Sequence, residues 1–147
     1  MTLTLRLAQE RDLEAVLSLY AQLSPADLLP SPDEARQTWA QILASPMISL
    51  HLAQDGEEVV ATCKLIVVPN LTRSQRPFGL IENVVSAQAQ RGQGFGKAVV
   101  RAAIEHAWSA GCYKVMLMTG RTDPAVLAFY EACGFQRGKT AFQIRRS

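Results

Sequence analysis

Cysteine, histidine and charge of one sign are all scarce in this chain of 147 residues, and each scarcity excludes something. The three cysteines, Cys63, Cys112 and Cys133, are odd in number and follow neither metal-ligand nor disulfide-framework spacing, so buried thiols are expected. His51 and His106 are the only imidazoles and neither lies near a cysteine in sequence, so no metal site is expected. Lys and Arg number 15 against 13 Asp and Glu, and no dense basic stripe of the kind a nucleic-acid partner requires accompanies that small excess. No apolar run reaches the length of a membrane span, and the alternating start Thr2 to Leu7 lacks the uninterrupted apolar core of a secretion signal. The expectation is a cytoplasmic protein with no nucleic-acid and no membrane partner.

What is present is the pattern of one globular domain, residues 1–147, with 48% hydrophobic and 19% charged residues, enough apolar side chain for a continuous core. Thr2 to Leu7 alternates as a half-buried strand, and Leu13, Val16, Leu17, Tyr20 and Leu23 then follow helical spacing. Ser31-Pro32-Asp33-Glu34 carries a cap serine, a first-turn proline and a capping-box glutamate, opening a second helix with Trp39, Ile42 and Leu43 inward. Ile48 to Leu52 alternates, Asp55-Gly56 turns the chain, and Glu58 to Val68 completes a hairpin. After the polar loop Pro69 to Pro77, Phe78 to Val85 reads as a strand interrupted by Glu82 and Asn83. From Gly94 the period is helical, with Val100, Ile104 and Trp108 in line beside Val99, Ala103 and Ala107, and Gly111 ends the helix. Tyr113 to Met118 is a short strand, Asp123-Pro124 starts a helix that stops at Gly134, and Phe135 to Arg146 has room for one or two final strands. The strand-helix-strand unit of the second half implies a right-handed crossover between parallel strands.

Arg91-Gly92-Gln93-Gly94-Phe95-Gly96-Lys97 falls between a strand and a helix. Glycines there let successive N–H groups converge on an anion, and the free N–H groups and positive dipole end of the helix favour a phosphate or pyrophosphate. A Walker A loop is excluded, because Arg91 stands where it needs glycine and Ala98 where it needs Ser or Thr. The dinucleotide fingerprint is excluded by Lys97 where a small residue belongs.

The run resembles the coenzyme A pyrophosphate loop of the GNAT superfamily of N-acetyltransferases, [Q/R]-x-x-G-x-[G/A], at Arg91, Gly94 and Gly96. Ile81 to Ser86 before it, Lys97 after it, and Phe129-Tyr130-Glu131-Ala132-Cys133-Gly134-Phe135, similar to that superfamily's Y-E-x-x-G-F signature, extend the likeness over Leu80 to Phe135. The resemblance implies the GNAT acyltransferase fold, a mixed α/β (α+β) architecture whose mostly antiparallel sheet of six to seven strands is flanked by about four helices. It further implies acetyl-CoA as co-substrate, with no metal, held by Val84, Val85, Ser86, Arg91, Gly92, Gln93, Gly94, Phe95, Gly96, Lys97 and Phe129.

Acetyl transfer to an amine needs a neutral nucleophile, a polarised carbonyl and a proton for the departing thiolate. The resemblance implies Tyr130 as general acid, for which a core aromatic is the structural alternative. Glu82 is the candidate base acting through water, or else a solvated outer-face carboxylate. Asn83, Arg76 and Arg121 are candidate substrate contacts. Gly79 to Val85 and Gly111 to Lys114 look most like glucosamine 6-phosphate N-acetyltransferases, yet those enzymes carry Asp at Asn83, an acidic residue at Met118 and a shorter connection than Thr119 to Asp123. A small-molecule amine is the expected acceptor and a homodimer the expected assembly. A protein or peptide amine, or a non-catalytic acyl-CoA-binding regulatory domain, are the alternatives.

Overall fold

The computed structural model describes residues 2–146. Strand β1 (Leu3–Leu7) is followed by helices α1 (Leu13–Leu23) and α2 (Pro32–Ala44), the hairpin β2 (Ile48–Asp55) and β3 (Glu58–Val68), and a single turn α3 (Thr72–Gln75). Then come β4 (Phe78–Ser86), α4 (Phe95–Ser109), β5 (Val115–Leu117) and α5 (Pro124–Ala132). The strands lie in the order β1-β2-β3-β4-β5, antiparallel except for the parallel pair β4 and β5 that α4 connects.

Side-chain alternation divides the core between the two faces of the sheet. Leu50 and Leu52 of β2 pack with Val16 and Trp39 under α1 and α2. Ala61, Cys63 and Leu65 of β3 and Ile81 of β4 pack with Val99, Val100, Ala103 and Ala107 of α4. Leu52 and Leu65 are fully buried, each worth about 1.5–3 kcal/mol of transfer free energy. Helix α2 starts as its sequence indicates: Ser31 accepts from the Glu34 N–H while the Glu34 carboxylate accepts from the Ser31 N–H, a cap worth about 1 kcal/mol. At the start of α1 the Asp12 carboxylate instead takes two hydrogen bonds from Arg6, 2.7 and 2.8 Å, and one from the Gln9 N–H. That ties β1 to α1, and the Arg6 hydrogen bonds hold Asp12 below the ordinary carboxylate range.

Several expectations are corrected. The sheet has five strands and is flanked by five helices among the described residues, against six to seven and about four. The shortfall lies at the C-terminus, where 135–146 forms no strand. An extended segment becomes a strand only when its backbone groups find a neighbour, and β5 bonds β4 alone. The extra helix is the turn α3 within the loop before β4. Strand β1 turns Leu3, Leu5 and Leu7 outward rather than half-burying them, and Leu43 and Trp108, read as core-facing, are 36% and 48% exposed at the margins of their helices.

Candidate active site

Strand β4 is broken where its polar residues fall. Lys64 of β3 pairs with Glu82 and Thr62 pairs with Val85, so Asn83 and Val84 together oppose Cys63. Two residues against one is a β-bulge. Asn83 takes the left-handed conformation the bulge demands, φ 54°, which asparagine tolerates far better than a β-branched residue. Its side chain lies beside the phenol of Tyr20 on α1, where it partly offsets the upward push that burial gives the phenol's pKa. Pairing between β4 and β5 stops at Ile81 and Leu117. β5 itself ends at Leu117, so from Glu82 to Ser86 the β5-facing edge of β4 pairs with no strand among the described residues, and a wedge lies open beside it.

The glycine run closes the wide end of that wedge. Gly92 and Gly94 have φ of 85° and 86°, a region glycine enters without steric cost, and Gly94 is the N-cap residue of α4. No side chain caps this helix, which leaves its first N–H groups directed at the loop. A Cβ built on Gly96 would lie 2.6 Å from the Ser86 hydroxyl and 3.4 Å from the Phe129 ring, so the end of β4, the start of α4 and α5 meet where only glycine fits. Lys97 lies half-buried beside the loop, and Arg91 is exposed on it. The Gln90 side-chain oxygen, just before the loop, is buried without a protein partner. Sequence reading missed this acceptor, because a glutamine in a polar stretch carries no signal of its own.

Tyr130 on α5 is half-buried, its ring edge-on to Phe129 and Phe135 at centroid distances of 5.1 and 6.3 Å. Burial raises its pKa above the ordinary phenol value, helped by the Cys133 and Cys63 thiols and by Glu82 and opposed by Arg121. The charges of Glu82 and Arg121 thus both reach the phenol. Glu82 is exposed on the open floor of the sheet. Arg121 lies on the connection after β5 and is ion-paired with Asp123 at 2.8 Å. Arg76 is not brought to this place. It precedes β4, whose far end at Ser86 lies roughly 25 Å along the strand from Phe78, and its guanidinium lies over the Tyr113 ring at 5.5 Å. Lys64, opposite Glu82, was also missed, although it interrupts an apolar strand as Glu82 does. Two cavities lie outside this constellation, about 520 Å³ beside Met47, Pro69 and Leu71 and about 620 Å³ between α1 and the β2–β3 turn.

An unpaired strand edge thus lies beside a glycine-shaped helix N-terminus, and free N–H groups at such a helix start favour an anion. Comparison with known proteins gives the family. The model of the acetyltransferase (GNAT) family matches residues 13–135. Glucosamine 6-phosphate N-acetyltransferase of Trypanosoma brucei brucei is 34% identical over 134 residues, 91% of this chain and 89% of that protein. A structure from Agrobacterium tumefaciens, described as an acetyltransferase, is 52% identical and superposes with a TM-score of 0.94 over 97% of this chain and 99% of its own. The glucosamine-6-phosphate N-acetyltransferase of Arabidopsis thaliana, 24% identical with a TM-score of 0.87 over the full length of both chains, shares the fold. The chain belongs to the acetyltransferase (GNAT) family and is an acetyl-CoA-dependent N-acetyltransferase of that kind.

Proposed function

We propose that this enzyme, a single N-acetyltransferase domain over 1–147, moves the acetyl group of acetyl-CoA directly to a primary amine of a small molecule within a ternary complex. The observation that carries the reading is the wedge, where an unpaired strand edge opens beside the glycine-shaped start of α4. When bound there, acetyl-CoA supplies the acetyl group as a thioester.

The chain's own residues divide the remaining work. N–H groups of Gly92 to Lys97 and the Arg91 and Lys97 cations hold the pyrophosphate, with the helix dipole adding to them. Backbone groups of Val84, Val85 and Ser86 extend the strand by pairing with the pantetheine amides, and an N–H of this strand polarises the carbonyl. Phe129 packs against the loop and keeps Gly96 close to Ser86. Tyr130 keeps its phenolic proton at neutral pH, because burial raises its pKa, and donates it to the departing sulfur. Glu82 accepts a proton from the ammonium through water, and Asn83 and Arg121 border the acceptor. Arg76, over the Tyr113 ring at the far end of β4, lies beyond the reach of a small acceptor held at Glu82. No metal takes part, the protein works in the cytoplasm, and its partners include neither nucleic acid nor membrane. No helix among the described residues is long and apolar enough to cross a membrane.

We read the assembly as a homodimer. Phe142 and Ile144, two residues apart, are 92% and 98% exposed, and the outer edge of β5 bonds no strand among the described residues. Each copy thus offers an apolar ribbon and an open edge.

The test is acetyl-CoA-dependent thiol release over a panel of glucosamine 6-phosphate, amino acids, polyamines, aminoglycosides and a lysine peptide. Turnover with one small-molecule class is expected, with kcat lowered about 100-fold or more in Tyr130→Phe, which keeps the aromatic packing. Turnover of the peptide alone, or a Tyr130→Phe enzyme as fast as the wild type, would contradict the reading.

A further inference from the structure

Lys64 is half-buried in the middle of β3, between the fully buried Cys63 and Leu65. A lysine here gives up part of its hydration, a cost an apolar residue would avoid. It is directly opposite Leu50 of β2 and Glu82 of β4, and side chains of directly paired residues share a face. Leu50 packs beneath Val16 and Trp39, so Lys64 and Glu82 stand on the α1 and α2 side, where the sheet floor opens toward solvent at Glu82. The two are nevertheless not ion-paired. The four ion pairs of the described residues join Arg6 to Asp12, Arg36 to Asp33, Arg121 to Asp123 and Arg137 to Glu131.

Two opposite charges meet on this floor. Glu82 is the carboxylate on it, while its neighbours Asn83 and Met118 are neutral, and Met118, just beyond β5, is 60% exposed. Of the other cations near the reaction path, Arg121 is committed to Asp123 and Arg76 lies over Tyr113 at the far end of β4. Lys64 is left as an uncommitted ammonium beside the carboxylate that receives the acceptor's amine.

Resting on the acetyl-transfer reading above, we propose that Lys64 determines acceptor specificity by binding an acid group, carboxylate or phosphate, of the amine that Glu82 deprotonates. Opposed side chains on adjacent strands are close neighbours, so the acid and the amine belong to one compact acceptor. The same ammonium repels polycationic acceptors, and its field beside Glu82 favours the neutral, nucleophilic form of the incoming amine.

The experiment compares matched amines, β-alanine with propylamine and glucosamine 6-phosphate with glucosamine, for wild type, Lys64→Met and Lys64→Arg. Initial rates are measured at saturating acetyl-CoA, and binding by calorimetry to the coenzyme A-saturated protein. The acid member of at least one pair is expected to be favoured about tenfold or more in kcat/KM. Lys64→Met collapses that ratio through KM rather than kcat, and Lys64→Arg restores most of it. The amino-acid pair and the phosphate pair tell carboxylate from phosphate. A wild type that favours the member without acid overturns the proposal, as does a Lys64→Met enzyme that loses kcat equally on both members. Absence of acid-dependent binding overturns it whether or not transfer occurs. Acid-dependent binding that Lys64→Met abolishes, without transfer to any amine, supports the role of Lys64 and sinks the acetyl-transfer reading instead.

Discussion

Gly96 shows how much of the site rests on the absence of one carbon. A methyl group there meets the Ser86 hydroxyl at 2.6 Å, well inside ordinary contact, and the Phe129 ring at 3.4 Å. Gly96→Ala is expected to weaken acetyl-CoA binding at least about tenfold and to cost about 1–3 kcal/mol of stability. Ser86→Ala removes the nearer obstacle, so the double variant should recover part of both losses; calorimetry and urea midpoints on the four proteins check it, and strict additivity would contradict the contact. His51 gives a pH signature away from the site. Burial, then His106, lowers its pKa from 6.5 to about 4. Between those values the unfolded chain takes up a proton the folded chain refuses, so stability falls as pH drops from 6.5 to 4, by roughly 3 kcal/mol, and levels off below. Urea midpoints across that range should lose this slope in His51→Gln; an unchanged slope would contradict the assignment. Asp12, whose pKa is lowered, contributes stability that is full above its unfolded value of 3.8 and is lost only as pH falls through its lower folded one. The two groups thus act in separate windows.

At the scale of elements, the bulge in β4 falls just where its pairing with β5 stops. Asn83→Gly keeps access to φ 54° and should retain acetyl-CoA binding, losing only the side chain beside Tyr20. Asn83→Val disfavours that conformation by roughly 1–2 kcal/mol and favours a straight strand that zips further along β5. Acetyl-CoA affinity by calorimetry is expected to fall at least about tenfold in the valine variant and much less in the glycine one; equal affinities would contradict the link between bulge and site. Elements bounded by explicit chemistry were legible in the sequence, such as α2 with its capping box and α4 between Gly94 and Gly111. The glycine loop was legible too, because glycine at a strand-to-helix junction narrows the backbone choices. The bulge was not, since an asparagine in a strand looks the same whether it faces solvent or turns the chain left-handed. Lys64 escaped for a related reason: which side chain opposes Glu82 depends on register, and the bulge itself shifts that register.

For the molecule as a whole, the unpaired tail is the feature that alternation misjudged. Phe142-Gln143-Ile144-Arg145 has strand periodicity, yet it joins no sheet among the described residues and leaves both apolar side chains in water. In the proposed homodimer a second copy covers them, so Phe142→Ser with Ile144→Ser should convert dimer to monomer in sedimentation equilibrium. A wild type that sediments as a monomer would contradict the assembly. The central claim is that the wedge, the loop and Tyr130 together pass an acetyl group straight from coenzyme A to a bound amine. The most direct measurement is a single turnover with isotopically labelled acetyl-CoA, followed by mass analysis of both protein and acceptor at successive times. Label should appear on the acceptor nitrogen without first appearing on the protein, at a rate that falls about 100-fold or more in Tyr130→Phe. Label passing through Cys63, Cys112 or Cys133, or hydrolysis to acetate with every amine unlabelled, would contradict it.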